Sequence, residues 1–400
     1  MSVFRHILKL SIGYVSLGLL GQVGSMIVIS QISKTVSEVE FALLVTYNAL
    51  FDGTLILVGY GTAQSLIKET KNSSFATLET KISAIRPFVF INFLFLLIFS
   101  GFLYFVYDYW FLFLLALFNS FVYYNYNIIT QAYHWYNFFE KYAFSVLLLT
   151  VLYPVTAYVL LLKGLGIYAR IYGYLIAVLL SSIFLREKQH YVFLRFSNIK
   201  LHLVSYIQKI RELSIYFFSV GLKWLQKNIE VLIIPIVFDF KLLAVYGASR
   251  ILVRPLTFLV SNIGQAFRSY LFDSLRNGRG TMARTLILVI ILGSILIGLL
   301  YWILLGYFAH YLIQNEALID GKILIWVLIS GVTASLGVLV KPLLLFKSLV
   351  SSVVKLDLIA FLITTIVLVI FKNFFFFLIG KVVIDLIIFI LQLSLFLWRK

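Results

Sequence analysis

Cysteine is absent, so the chain has neither a disulfide framework nor a thiolate for catalysis or metal binding. Acidic side chains are scarce, 16 Asp and Glu against 33 Lys and Arg. Charged residues of all kinds reach only 12%, where a soluble domain carries about 25%. The five histidines, His6, His134, His190, His202 and His310, are scattered among loops and lack the spacing that would hold a metal. No G-x-x-x-x-G-K-[ST] stretch occurs, so no phosphate loop powers the chain with ATP. Ten-residue segments of alternating polarity, the mark of an outer-membrane barrel, are missing as well. The net charge of +17 would suggest nucleic acid in a soluble protein. Membrane proteins, however, gather positive charge in their cytoplasmic loops, and no aromatic–basic module accompanies it. No nucleic-acid partner is expected.

What is present is apolar surface. The 400 residues are 62% hydrophobic, with a mean hydropathy of +1.03, which defines an all-α, multi-pass membrane protein of about 12 transmembrane helices. The apolar runs place spans at 7–30, 41–66, 87–107, 109–130, 142–162, 166–185, 213–237, 242–266, 285–307, 322–346, 356–371 and 374–398. Arg5 and Lys9 precede the first run, but no small-residue cleavage site follows, so it reads as a retained span rather than a signal peptide. With the N-terminus inside, only Lys34, Lys163, Lys241, Lys322 and Lys372 among the basic loop residues fall outside. That bias puts both termini in the cytoplasm. The longest hydrophilic stretch, 186–212, is then cytoplasmic. Within it 201–210 reads either as an amphipathic helix lying on the membrane face or as a basic linker.

The two halves match weakly at one constant offset. Leu10-Ser11-Ile12 aligns with Leu213-Ser214-Ile215, Ser16 with Ser219, Gly18-Leu19 with Gly221-Leu222, Gly61 with Gly264 and Ala63 with Ala266. An even number of spans in each half makes the repeat parallel. Two six-helix lobes are expected, 1–200 and 201–400, forming a V around a central cavity.

Polar groups inside the spans mark what such a cavity would hold. Lys223, Gln226, Lys227 and Glu230 share one face of the seventh span within roughly a 100° arc. A charge at the centre of a membrane helix costs about 2.5–3.5 kcal/mol on insertion scales, so a stripe this dense should look into a wet cavity. Arg250, Arg254, Thr257, Ser261 and Gln265 form a second stripe on the eighth span. Snorkelling of long side chains to the interface is the alternative for the cations; it suits Lys223 better than Lys227 or Arg254. The first half answers with Gln22 and Ser25, then Asn48 and Asp52 one turn apart. Asp52 reads as a counter-ion to the arginines or as a carboxylate coupling transport to protons or sodium. Lys381 and Asp385, one turn apart with Gln392 continuing their face, are expected to neutralise each other. Arg170 reads as an interface anchor. The run Tyr123–Asn127, with Gln131, His134, Trp135 and Tyr136 after it, reads as an aromatic belt or as an entry-side contact for a glycan.

The stretches LSIGYVSLGLLGQVGSMIVI, then S-x-V-E-F, then FDGTLILVGYGTAQSLIKE, together with NIEVLIIPIVF and VYGASRILVRPLTFLVSNIGQAFRSYL, resemble Wzx-type O-antigen and capsule flippases. These belong with the multidrug-and-toxin exporters and the lipid II flippase in one superfamily. At Asn228 and Glu230 this chain departs from the aspartate–arginine pair of many relatives, so the coupling ion stays open between proton and sodium. The resemblance implies a flippase, with no cofactor beyond an ion gradient, in the bacterial inner membrane. Its partners would be a polyprenyl-pyrophosphate-linked glycan, the bilayer and the polysaccharide polymerase machinery. Lys223, Lys227, Arg250, Arg254, Asn48 and Gln22 would bind substrate, while Asp52 and Glu230 would balance charge or carry the ion. The alternative is an ion-coupled multidrug exporter, whose cavity should be net anionic. A membrane glycan enzyme is disfavoured, since such enzymes usually need a substantial outer loop and this chain has none.

Overall fold

A computed structural model describes residues 23–69, 75–104, 110–135, 138–184, 199–276, 280–346, 350–371 and 373–398. Every element among them is helical. In chain order these are α1 (23–35), α2 (Glu38–Gly59), α3 (Thr62–Glu69), α4 (Phe75–Leu103), α5 (Trp110–Trp135), α6 (Phe139–Leu162), α7 (Ile167–Phe184) and α8 (Ile199–Val237). Then follow α9 (Phe240–Arg276), α10 (Gly280–Leu312), a short 3-10 turn (Glu316–Leu318), α11 (Gly321–Phe346), α12 (Val350–Ile370) and α13 (Phe374–Trp398). Among the described residues, nine helices are long and apolar enough to cross a membrane. The chain is a multi-pass integral membrane protein. α8 is not one of the nine, because Lys223, Lys227 and Glu230 interrupt its apolar stretch.

Several span limits differ from those expected. The run 41–66 breaks after Gly59, where Tyr60 (φ 45°) and Gly61 (φ 78°) turn left-handed and Thr62 Oγ1 donates to the Gly59 carbonyl. Hydropathy continues through this point; backbone conformation does not. The segment 201–210 is neither a separate surface helix nor a linker, for α8 runs unbroken from Ile199 to Val237. Nothing between Lys209 and Leu213 breaks a helix: the run KIREL consists of good helix formers.

The chain divides into two compact units. Within the described helices the boundaries fall between Val28 and Ile29 in α1, between Ala42 and Leu43 in α2 and between Trp224 and Leu225 in α8.

In the unit holding Leu43–Trp224, the core gathers Val58, Leu66, Val89, Phe93, Leu117, Ile128 and Tyr133 from α2 to α5. α6 and α7 cross closely because Gly173 has no side chain: a Cβ there would lie 2.6 Å from Ala157 Cα. Thr156 Oγ1 then reaches the Gly173 carbonyl at 2.8 Å. With no solvent to drive helices together in lipid, small residues and interhelical hydrogen bonds of this kind supply the contact. The first part of α8 belongs to this unit. Trp224 Nε1 donates to the Ala49 carbonyl at 3.1 Å, and its indole packs where a Gly53 side chain would otherwise stand.

The unit holding Leu225–Lys400 packs α9 and α13 against α11. α10 buries Ala283, Ile287, Ile290, Ser294, Gly298, Leu305 and Ala309, a three-to-four spacing that lines one face. Its other faces leave Leu288, Leu292, Leu296, Leu299, Leu300 and Ile303 exposed, as a lipid-facing helix should.

Candidate functional site

The polar face of α8 is shared out among its neighbours rather than presented as one stripe. A face about 100° wide meets more than one packing partner, and here Gln226 and Glu230 part company. Gln226 Nε2 donates to the Asp357 carbonyl of α12. Glu230, only 1% exposed, pairs through Oε1 with Lys381 Nζ of α13 at 2.5 Å. Lys381 also faces Asp385 Oδ2, one turn along α13, at 3.6 Å, and Ser330 Oγ of α11 donates to that same carboxylate at 2.7 Å. The expected pairing of Lys381 with Asp385 is therefore present, with Glu230 added from a helix 150 positions away. The Glu230 charge is met by Lys381. A buried carboxylate needs a close partner, and the ammonium supplies it.

The remaining charges of α8 and α9 are more open. The Lys227 and Arg254 side chains are exposed. Arg250 is half-buried: its Nη2 donates to the Lys227 carbonyl at 3.1 Å, and its guanidinium stands 5.8 Å from the centre of the Tyr246 ring, within cation–π range. Thr257 Oγ1 donates to the Arg254 carbonyl at 2.9 Å. Lys227, Arg250, Arg254 and Glu230 thus lie in one unit, whereas Asn48 and Asp52, both half-buried on α2, lie in the other. Gln22 lies outside the described residues, as do the side chains of Lys223, Ser261 and Gln265.

Three expectations about other polar groups change. Tyr124 and Tyr126 are 7% and 3% exposed, so they are neither an interface belt nor a glycan contact. Tyr124 bonds the Thr62 hydroxyl, and Tyr126 Oη donates to the Ser145 carbonyl at 2.6 Å; both tie α5 to neighbouring helices. Arg170 is not a plain interface anchor, because its Nη1 is buried and without a hydrogen bond. Gln392 is 1% exposed, and neither polar atom of its amide finds a partner among the described residues.

Two features escaped the reading of the sequence. Asp357 is 4% exposed on α12, yet its place near the expected start of a span disguised it as a loop residue; α12 begins at Val350. The intramembrane-charge criterion would have found it had the span been drawn from Val350. Tyr47 and Asn119 form a second buried group, Asn119 Nδ2 donating to Tyr47 Oη at 2.7 Å. No signal short of the fold pairs them.

No family model matches the chain, and no curated protein matches it either. Solved structures do. It is similar to the lipid II flippase MurJ in an inward closed conformation, with a TM-score of 0.71 at 12% identity, over 97% of this chain and 87% of that one. It is also similar to a MATE transporter in complex with MaD3S, with a TM-score of 0.60 at 15% identity, over 99% and 95% of the two chains. A MOP superfamily transporter from Pyrococcus furiosus, described as having a binding pocket of reversed polarity, gives a TM-score of 0.57 at 15% identity, over 99% and 94%. The fold is that of the MATE and MurJ transporters of the MOP superfamily, all-helical, multi-pass and of two lobes.

Proposed function

We propose that the protein is a flippase of a polyprenyl-pyrophosphate-linked oligosaccharide, an O-antigen or capsule repeat unit. It would carry this substrate from the cytoplasmic to the periplasmic leaflet of the bacterial inner membrane by alternating access. The observation that carries this reading is the position of Arg250 and Arg254. Both lie inside the apolar stretch Phe240–Val260, which is long enough to cross a membrane, and Arg254 is exposed there. A guanidinium at that depth needs water or an anion. A pyrophosphate supplies the anion, and its own desolvation is offset by charge-assisted, bidentate hydrogen bonds to Arg. Lys227 adds an exposed ammonium one helix away, and we assign Lys223, Asn48 and Gln22 to substrate binding. The likeness to a flippase of a lipid-linked substrate supports the choice of substrate class. Asp52 is assigned to coupling or charge balance.

Replacing Arg250 or Arg254 with Ala should abolish surface polysaccharide, with lipid-linked oligosaccharide accumulating on the cytoplasmic leaflet and the protein still in the membrane. Normal polymer in both variants would contradict the assignment. Lysine in their place should be milder unless a bidentate contact is needed. For Asp52→Asn, transport measured against imposed proton and sodium gradients should lose its gradient dependence; an unchanged response removes the coupling role and leaves charge balance. The MATE likeness favours a second reading, an ion-coupled exporter of small molecules. Increased resistance of a drug-sensitive host to cationic dyes, with polysaccharide unaffected by deletion, would favour that reading instead.

A further inference from the structure

We infer that Glu230, Asp385 and Ser330 build a small-cation site whose occupant is the chain's own Lys381 ammonium. On this reading the site takes a sodium-sized ion from solution only when that ammonium is removed. Glu230 comes from α8 and Asp385 from α13, and both meet the Lys381 ammonium; Ser330 of α11 donates to the same Asp385 oxygen. Carboxylate and hydroxyl oxygens are the donors that hard cations take. Lys381 Nζ sits among them, 2.5 Å from Glu230 Oε1 and 3.6 Å from Asp385 Oδ2.

Among the described residues, Lys381 is the cation paired with Glu230. Glu230 is 1% exposed, so bulk water cannot solvate it. Tyr246 of α9 stands within electrostatic reach of the cluster, and the Arg250 guanidinium lies 5.8 Å from that ring and donates to the Lys227 carbonyl. α12, which packs on α13, carries a buried acid, Asp357, and an exposed lysine, Lys355. A tethered ammonium meets the two carboxylates without the entropy lost when a free ion is captured. The site is therefore full in the native protein, and any coupling ion binds elsewhere. This holds whether the substrate is a lipid-linked glycan or a drug, so its failure and that of the flippase reading are distinct.

The test is thermal unfolding of the purified full chain in detergent, in sodium chloride and in choline chloride at matched ionic strength. The unchanged protein should melt at the same temperature in both. Lys381→Ala should melt about 3 °C or more higher in sodium than in choline. Adding Glu230→Gln and Asp385→Asn to Lys381→Ala should abolish that difference. Recovery of folded Lys381→Ala only in sodium supports the inference equally. A Lys381→Ala protein that folds yet ignores sodium overturns it, and so does sodium stabilisation of the unchanged protein that this substitution removes. Should Lys381→Ala be recovered from neither salt, Lys381→Gln is measured in the same two salts by the same criteria.

Discussion

Glu230, Lys381 and Asp385 are the residues whose removal should be felt most in stability. Lys381 is shared by two carboxylates, one of them fully buried, so Lys381→Met leaves both without a cation. Breaking a buried pair from one side costs about 3–5 kcal/mol. Adding Glu230→Gln to Lys381→Met should return a good part of that loss, because it also removes the buried charge left behind. A double-mutant cycle on thermal midpoints reads this directly; strictly additive midpoint losses would mean the pair contributes nothing jointly. Half of this cluster was legible in the sequence. Lys381 and Asp385 are one turn apart on an apolar helix, and helical geometry alone makes them neighbours. Glu230 was legible as an intramembrane acid, but its partner was not. Periodicity tells which face a side chain occupies on its own helix, and says nothing of which helix that face meets.

At the scale of elements, the α6–α7 crossing depends on one missing side chain. Gly173→Leu would drive a side chain into the Ala157 backbone and separate the Thr156 hydroxyl from the Gly173 carbonyl. Overpacking of this kind typically costs about 1–3 kcal/mol. The variant should unfold at lower temperature than Gly101→Leu as judged by solubility after heating. Gly101 lies within α4 and a side chain there would meet nothing within 4 Å, so the comparison separates the crossing from the mere loss of glycine. The last span, 374–398, was legible to the residue, since a charged or polar residue bounds its apolar run on both sides. Where a turn is made by backbone conformation, as at Tyr60 and Gly61, hydropathy ran straight through it. Where a helix simply continues past the apolar run, as in α8, hydropathy stopped short.

For the molecule as a whole, composition settled the class and left the internal wiring to be seen. The expected excess of cations on α8 and α9 is present at Lys227, Arg250 and Arg254, whereas three acids of the same unit, Glu230, Asp385 and Asp357, are withdrawn into ion pairing or burial. The length of α10 carries a further consequence. From Arg284, which donates to the Leu397 carbonyl, to the exposed Tyr307 and Tyr311, the helix rises roughly 40 Å at 1.5 Å per residue. That equals the thickness of a bilayer with its headgroups. Basic and aromatic residues at the two ends fix where those headgroups lie, so the protein carries a ruler for its own membrane. Reconstituted into lipids of graded acyl-chain length, it should be most stable near chains giving a hydrocarbon core of about 30 Å. Melting temperatures that do not vary with chain length would remove α10 from that role. Thinner bilayers would force this helix to tilt, and with it α9, against which it packs and which carries Arg250 and Arg254.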